Sequence, residues 1–206
     1  MTAAALTLQG FPESAPQARR LAAALTIPFS GIAARRFPDG ESLVRVGDVA
    51  DTVILYRSLD DPNAKLVELM LAASTLRDAG AQRLVLVAPY LCYMRQDAAF
   101  HAGEAVSQRI IGRFLDGLID GVVTVDPHLH RTSSLAAVFP TARAVAVSAT
   151  NLLATRLRDK GLAGDAIIVG PDSESRQWVE AVAVPLGLDV LIGCKLRTGD
   201  RDVTIE

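Results

Sequence analysis

Thr52–Tyr56, Leu84–Ala88 and Val122–Val125 are short apolar runs without the strict in–out alternation of a half-exposed sheet. Such runs are apolar toward both faces. Strands buried on both faces belong to parallel sheets, whose crossovers are usually helices. The intervening segments supply those helices. From Asp60-Asp61-Pro62-Asn63 to about Ala79, the residues Leu66, Leu69, Met70, Ala73 and Leu76 recur at helical spacing, and Gly80 offers a stop. A second amphipathic stretch runs from about Ala105 to Leu118. The alternation predicts a three-layer α/β sandwich with helical crossovers.

The pattern extends in both directions. Ala5–Gln9 reads as a first strand, followed by a helix capped by Ser14, with Pro16 early in it, that runs to about Leu25. Ile32–Phe37 and Leu43–Val46 flank Asp39-Gly40 and read as a hairpin. Further strands are expected at Ala142–Val147, Ala166–Val169, Asp189–Gly193 and from Val203 onward. Helices are expected from Ala149, capped by Ser148, to Lys160, and from Glu174 to Ala183.

With 206 residues, half of them hydrophobic and 5% aromatic, the chain can bury an Ala/Val/Leu/Ile core. A net charge of -2 argues against general nucleic-acid binding. Cys92 and Cys194 are too few for a disulfide framework or a zinc site. No apolar run approaches a membrane span, and the N-terminus lacks the basic start and apolar core of a signal peptide. A cytoplasmic globular protein is expected.

Open parallel sheets bind ligands beyond the carboxyl ends of their strands. Three strand ends here are polar. Leu84–Ala88 leads through Pro89 to Arg95, Gln96 and Asp97; Val122–Val125 leads to Asp126, His128 and His130; Ala166–Val169 leads to Asp172. The hairpin turn adds Asp39 and Glu41. Each has a plain alternative: a solvated loop, a simple turn, a hydrogen-bonded histidine. On an extended segment His128 and His130 would point to opposite sides and share no metal unless the chain turns at Leu129. Neither G-x-G-x-x-G nor a Walker A motif is present.

Taken in order, the loops resemble those of ribose-phosphate pyrophosphokinases. FPDGE at Phe37–Glu41 is similar to that family's F-x-D-G-E, PYLCYMRQD at Pro89–Asp97 to P-Y-x-x-Y-x-R-Q-D, and GEAVS at Gly103–Ser107 to G-E-P-I-S. TVDPH at Thr124–His128 is similar to T-V-D-x-H, GPD at Gly170–Asp172 to S-P-D, and the segment from Cys194 to the catalytic flexible loop with its K-x-R pair. The resemblance implies a Mg²⁺-dependent transfer of the diphosphoryl group of ATP to ribose 5-phosphate, with AMP leaving. It implies two phosphoribosyltransferase-like domains, at 1–147 and an incomplete 148–206, in a homo-oligomer (dimer or hexamer) whose ATP is partly held by a neighbouring subunit. It places Phe37, Asp39 and Glu41 on the adenine side, Arg95, Gln96 and Asp97 on the nucleotide, His128 and Asp172 on Mg²⁺, and Lys195 and Arg197 over the transferring phosphates. Read from the residues alone, Lys195 and Arg197 are a solvated basic pair.

Ala98 follows Asp97 where many members carry a basic residue, and His101-Ala102-Gly103-Glu104-Ala105 stands where the family reads R-P-G-E-P. The family's pentose-phosphate loop, an acidic pair followed by T-G-G-T, has no counterpart before Glu206. Truncation of the second domain is therefore expected, leaving apolar sheet surface uncovered. A catalytically inactive, nucleotide-binding partner of a longer synthetase is the alternative reading.

Overall fold

The computed structural model describes residues 5–162, 164, 166–197 and 203–205, with Lys195–Arg197 and Val203–Ile205 as backbone alone. The chain divides into two units after Val147. In the first, β1 (Leu6–Gly10), α1 (Ala15–Leu25) and β2 (Phe29–Gly31) precede a hairpin of β3 (Ala33–Arg36) and β4 (Ser42–Arg45). Then follow β5 (Thr52–Tyr56), α2 (Pro62–Asp78), β6 (Arg83–Ala88), α3 (Ser107–Asp116), β7 (Gly121–Val125) and β8 (Arg143–Val147). Six strands form one parallel sheet in the order β2-β1-β5-β6-β7-β8.

The apolar runs do face both ways. Val53, Leu55, Leu84, Leu86 and Val122 pack against Leu66, Leu69 and Leu76 of α2 and Leu115 of α3. Leu8 and Tyr56, with Ile54 and Val87, meet Ala18, Ala22 and Leu21 of α1 on the opposite face. This is the expected three-layer α/β arrangement. Burying a leucine such as Leu69 contributes about 1.5–3 kcal/mol relative to exposure. Gly10 lets α1 approach β1, because a Cβ there would stand 2.6 Å from the Cβ of Ala18.

Three local expectations need correction. Residues 29–31 form β2, which pairs with β1 at the sheet edge; Phe-Ser-Gly is too short and too mixed to announce a strand. Ser14 precedes α1 without capping it through its side chain; its hydroxyl accepts instead from the Ser58 N–H at 3.3 Å, tying the helix start to the end of β5. The helix expected from Ala105 begins at Ser107.

The second unit contains α4 (Thr150–Asp159), β9 (Ile167–Gly170), α5 (Arg176–Ala183), β10 (Asp189–Ile192), β11 (Lys195–Arg197) and β12 (Val203–Ile205). β9 and β10 are parallel, with Val169 opposite Leu191. Ile167, Val169 and Leu191 remain 59–63% exposed. The segment expected as a flexible loop begins as a strand, since β11 pairs antiparallel with β12.

Candidate functional site

The carboxyl edge of the first unit's sheet carries unusual backbone. Asp61, Tyr93 and Asp126 follow β5, β6 and β7, three adjacent strands, and adopt left-handed conformations with φ of 45°, 60° and 41°. Among the described residues the one other such non-glycine residue is Thr26, at the end of α1. A left-handed conformation costs an L-residue roughly 1–2 kcal/mol, and such strain clusters where ligands bind.

A cleft of about 420 Å³ opens between the loop after β5 and the loop after β6. Asp60, Asn63, Tyr90, Tyr93, Arg95 and Gln96 line it. The Tyr93 hydroxyl donates to the Asn63 side-chain oxygen across the cleft. Arg95 is exposed and Tyr90 is 48% exposed. The cleft therefore offers a cation and aromatic surface beside amide and hydroxyl groups. A larger concavity of about 550 Å³ along α3, beside Arg109 and Arg113, holds none of the residues expected from the sequence.

Gln96 is pinned from both sides. Its amide nitrogen donates to the Ala98 carbonyl at 3.0 Å and to Glu104 Oε2 at 3.4 Å, and its carbonyl accepts from the Gln108 N–H at 3.1 Å. Glu104 Oε2 also accepts from the Phe100 N–H at 2.8 Å. Backbone donors at Phe100 and His101 hold the Glu104 carboxyl below the usual glutamate range. The Asp97 carboxylate is 2% exposed and accepts from Arg131 Nη1 at 2.8 Å.

Gln108 joins the loops after β6 and β7. It is buried in the first turn of α3, where Nε2 donates to the Met94 carbonyl at 3.2 Å and Oε1 accepts from the Thr132 hydroxyl at 2.8 Å. Sequence reasoning passed over Gln108, Arg131 and Thr132. Gln108 did leave a signal: it lies on the same helical stripe as Gly112 and Leu115, the other buried residues of α3, so it is a polar residue at a core position.

After β7 the chain bends. His128 and His130 do not point apart; their rings stand perpendicular with centroids 3.9 Å apart. The expectation of opposite faces assumed an extended backbone. The left-handed turn at Asp126 and the irregular segment after it remove that assumption. Metal-capable donors at this edge of the first unit thus include an imidazole pair. Mg²⁺ favours oxygen donors, so the pair on its own is a poor match for that ion, whereas a carboxylate suits it.

Phe37, Asp39 and Glu41 occupy the β3–β4 turn, set apart by the hairpin. Glu41 donates its N–H to Asp39 Oδ1 at 3.1 Å, Gly40 has a φ of 93°, and Arg35 lies over the Phe37 ring at 4.5 Å. Asp39 thus braces the turn, while Asp39 and Glu41 remain exposed. In the second unit, Asp172 caps the turn Ser173–Ser175, accepting from the Ser175 N–H at 3.0 Å. The side chains of Lys195 and Arg197, and residues 198–202 between the last two strands, lie outside the described residues.

Residues 7–118 match the family model for the N-terminal domain of ribose phosphate pyrophosphokinase. A ribose-phosphate pyrophosphokinase of Methanopyrus kandleri is 34% identical over 83% of this chain and 58% of its own length. One from Thermococcus kodakarensis is 35% identical over 75% of this chain and 54% of its own length. The chain therefore spans little more than half the length of these relatives. The crystal structure of phosphoribosylpyrophosphate synthetase from Mycobacterium smegmatis superposes with a TM-score of 0.77 at 25% identity, covering 98% of this chain and 67% of that one. That likeness extends the fold match past the sequence-matched domain, and the fold is phosphoribosyltransferase-like. Through the N-terminal domain that its sequence matches, the chain belongs to the ribose-phosphate pyrophosphokinase family.

Proposed function

We propose that this chain carries the nucleotide-binding part of a ribose-phosphate diphosphokinase. The reaction is attack by the 1-hydroxyl oxygen of ribose 5-phosphate on the β-phosphorus of ATP. The bond from that phosphorus to the bridging oxygen of the α-phosphate breaks, AMP departs with the oxygen, and the hydroxyl proton passes to solvent. Transfer at phosphorus depends on positioning and charge neutralisation more than on covalent help from the protein.

The observation that carries this reading is the braced Arg95–Asp97 segment at the carboxyl edge of the parallel sheet. Arg95 supplies an exposed cation for phosphate oxygens, beside the half-buried Gln96. Asp97, buried and bonded through Oδ1 to Arg131, contributes by fixing the loop. Tyr90 offers a ring at the cleft mouth. Phe37, Asp39 and Glu41, on their projecting hairpin, serve the adenine side, and a neighbouring copy of the chain is the natural recipient. Mg²⁺ bound to the nucleotide would screen phosphate charge, with His128 and Asp172 as its protein-side residues. Lys195 and Arg197 would neutralise the transferring group.

The test is AMP formation by this 206-residue chain from ATP, Mg²⁺ and ribose 5-phosphate, with ATP binding measured in parallel. AMP that depends on ribose 5-phosphate is expected if the chain holds both substrates. ATP binding without AMP would favour the nucleotide-binding subunit that needs a longer partner. No ATP binding at all would overturn the proposal.

A further inference from the structure

We propose that Glu68 is a positioning residue for nucleotide recognition: its carboxylate holds Ser42, and through Ser42 the β3–β4 hairpin that carries Phe37, Asp39 and Glu41. Glu68 lies in α2 beside the buried Leu66 and Leu69, so its backbone is fixed to the core. Its side chain is 12% exposed and bridges two elements. Oε2 accepts from Arg57 Nη2, and Oε1 accepts from the Ser42 hydroxyl at 2.9 Å. Ser42 opens β4 and directly follows Glu41. The inference rests on the proposed function for the hairpin's place on the adenine side, and it adds the residue that aims the hairpin.

Arg57 leaves Glu68 little freedom. The arginine side chain is 4% exposed, and each of its nitrogens is engaged: Nε donates to Glu13 at 2.7 Å, Nη1 to the Lys65 carbonyl at 3.0 Å and Nη2 to Glu68. Its guanidinium lies over the Phe11 ring. A carboxylate held at one oxygen by such a group presents the other in one direction. A buried charge cluster is a weak source of stability, because well-packed apolar residues of similar volume often serve as well. What a fully satisfied cluster provides is a single geometry, here at the point where Ser42 docks. The hairpin needs that fix. Among the described residues, the Ser42–Glu68 bond is the one side-chain hydrogen bond that joins β3, β4 or their turn to the rest of the unit. Val44 packs on the core, but Ala34 and Arg36 border a cavity of about 350 Å³ that Arg57 and Glu68 also line. Packing therefore holds the hairpin toward its base on β4, and Glu68 holds it next to the turn.

The experiment compares ATP with inorganic tripolyphosphate, which offers the phosphates without the nucleoside, both in the presence of Mg²⁺. ATP affinity is measured by calorimetry on the 206-residue chain, and tripolyphosphate affinity by its competition with ATP. Sedimentation checks that every variant has the oligomeric state of the parent. Glu68→Gln and Ser42→Ala should each weaken ATP binding by roughly two- to tenfold, the worth of one hydrogen bond, and leave tripolyphosphate binding unchanged. Ser42→Thr, which keeps the hydroxyl, should bind ATP as the parent does. The double variant of Glu68→Gln with Ser42→Ala should lose no more ATP affinity than Glu68→Gln alone, since both remove the same contact. Amide hydrogen exchange gives a readout that needs no ligand. The Phe37 N–H, which donates to the Glu41 carbonyl at 2.7 Å, should exchange faster in Ser42→Ala, while the Leu55 and Leu86 amides of the parallel sheet keep their rates. Equal weakening of ATP and tripolyphosphate, ATP affinity unchanged in both single variants, or unchanged exchange at Phe37 overturns the proposal. An unsubstituted chain that binds no ATP overturns the proposed function and this use of the hairpin with it. The two failures are distinct, because failure of the inference alone leaves the unsubstituted chain binding ATP.

Discussion

Arg131 Nη1 lies 2.8 Å from the Asp97 carboxylate, joining the loop after β6 to the loop after β7. The two sides of the pair differ in exposure: the arginine side chain is 57% exposed, the carboxylate 2%. Losing the cation strands a buried charge, which costs more than the pair gains. Arg131→Ala is therefore expected to destabilise the chain by ~1.5–3 kcal/mol. A denaturant double-mutant cycle with Asp97→Asn should give a coupling of at least ~1 kcal/mol. Additive effects would mean the pair does not brace the loops.

Gln108→Leu keeps the side chain's bulk but leaves the Met94 carbonyl and the Thr132 hydroxyl without their partner. A loss of about 1–3 kcal/mol is expected from the unmet buried groups. ATP affinity should fall as well, because the loop that presents Arg95 loses its anchor. Calorimetric ATP titration of a chain still folded by circular dichroism checks this. Unchanged ATP affinity in a folded Gln108→Leu would remove Gln108 from the site's support.

Arg95→Ala should behave in the opposite way. The side chain is exposed, so stability should stay within about 0.5 kcal/mol of the parent. ATP binding should weaken by roughly tenfold or more, the loss of a charge-assisted hydrogen bond to phosphate. A large stability loss with intact binding would reverse the roles given to Arg95 and Asp97.

Arg57 is buried, donates to Glu13 at 2.7 Å and to Glu68 at 2.5 Å, and covers the Phe11 ring at 3.8 Å. Burial pushes the Glu68 carboxyl up, but hydrogen bonds from Arg57 and Ser42 outweigh it and hold the group below its usual range. A carboxylate so lowered contributes stability above its unfolded pKa and loses that contribution as pH falls through the folded value. Stability should thus drop on acidification below the ordinary glutamate range. Arg57→Met should cost ~3–5 kcal/mol near neutral pH and flatten that acid limb. Denaturant melts from neutral pH downward provide the comparison.

Burial pushes the Cys92 thiol up to about 11, whereas Cys194 is exposed. Alkylation at mildly alkaline pH should mark Cys194 and spare Cys92 until denaturant is added. Mass spectrometry of peptides distinguishes the two. Rapid labelling of Cys92 in the native chain would mean that the loop after β6 opens readily.

The layers were legible because the apolar runs around Leu84 and Val122 leave no exposed face, and only a covered parallel sheet accepts such strands. The edge strand Phe29–Gly31 was not, because three residues carry no period. The polar strand ends could be listed from the sequence, but their organisation could not. Gln108 reads as one more polar residue until the helix face is known. Asp97 reads as one more loop carboxylate until its burial beside Arg131 is known. His128 and His130 point apart only on an extended segment, and the left-handed residue Asp126 takes that segment out of the strand.

The three left-handed residues at neighbouring strand ends also bear on how this protein could change over time. Selection for heat resistance alone would favour glycine at Asp61, Tyr93 and Asp126, where a side chain works against the backbone. Those same substitutions would loosen the rim that shapes the cleft and the histidine turn. Variants hardened by random screening should therefore be sorted first at these three positions, since gains found there will tend to be paid in recognition.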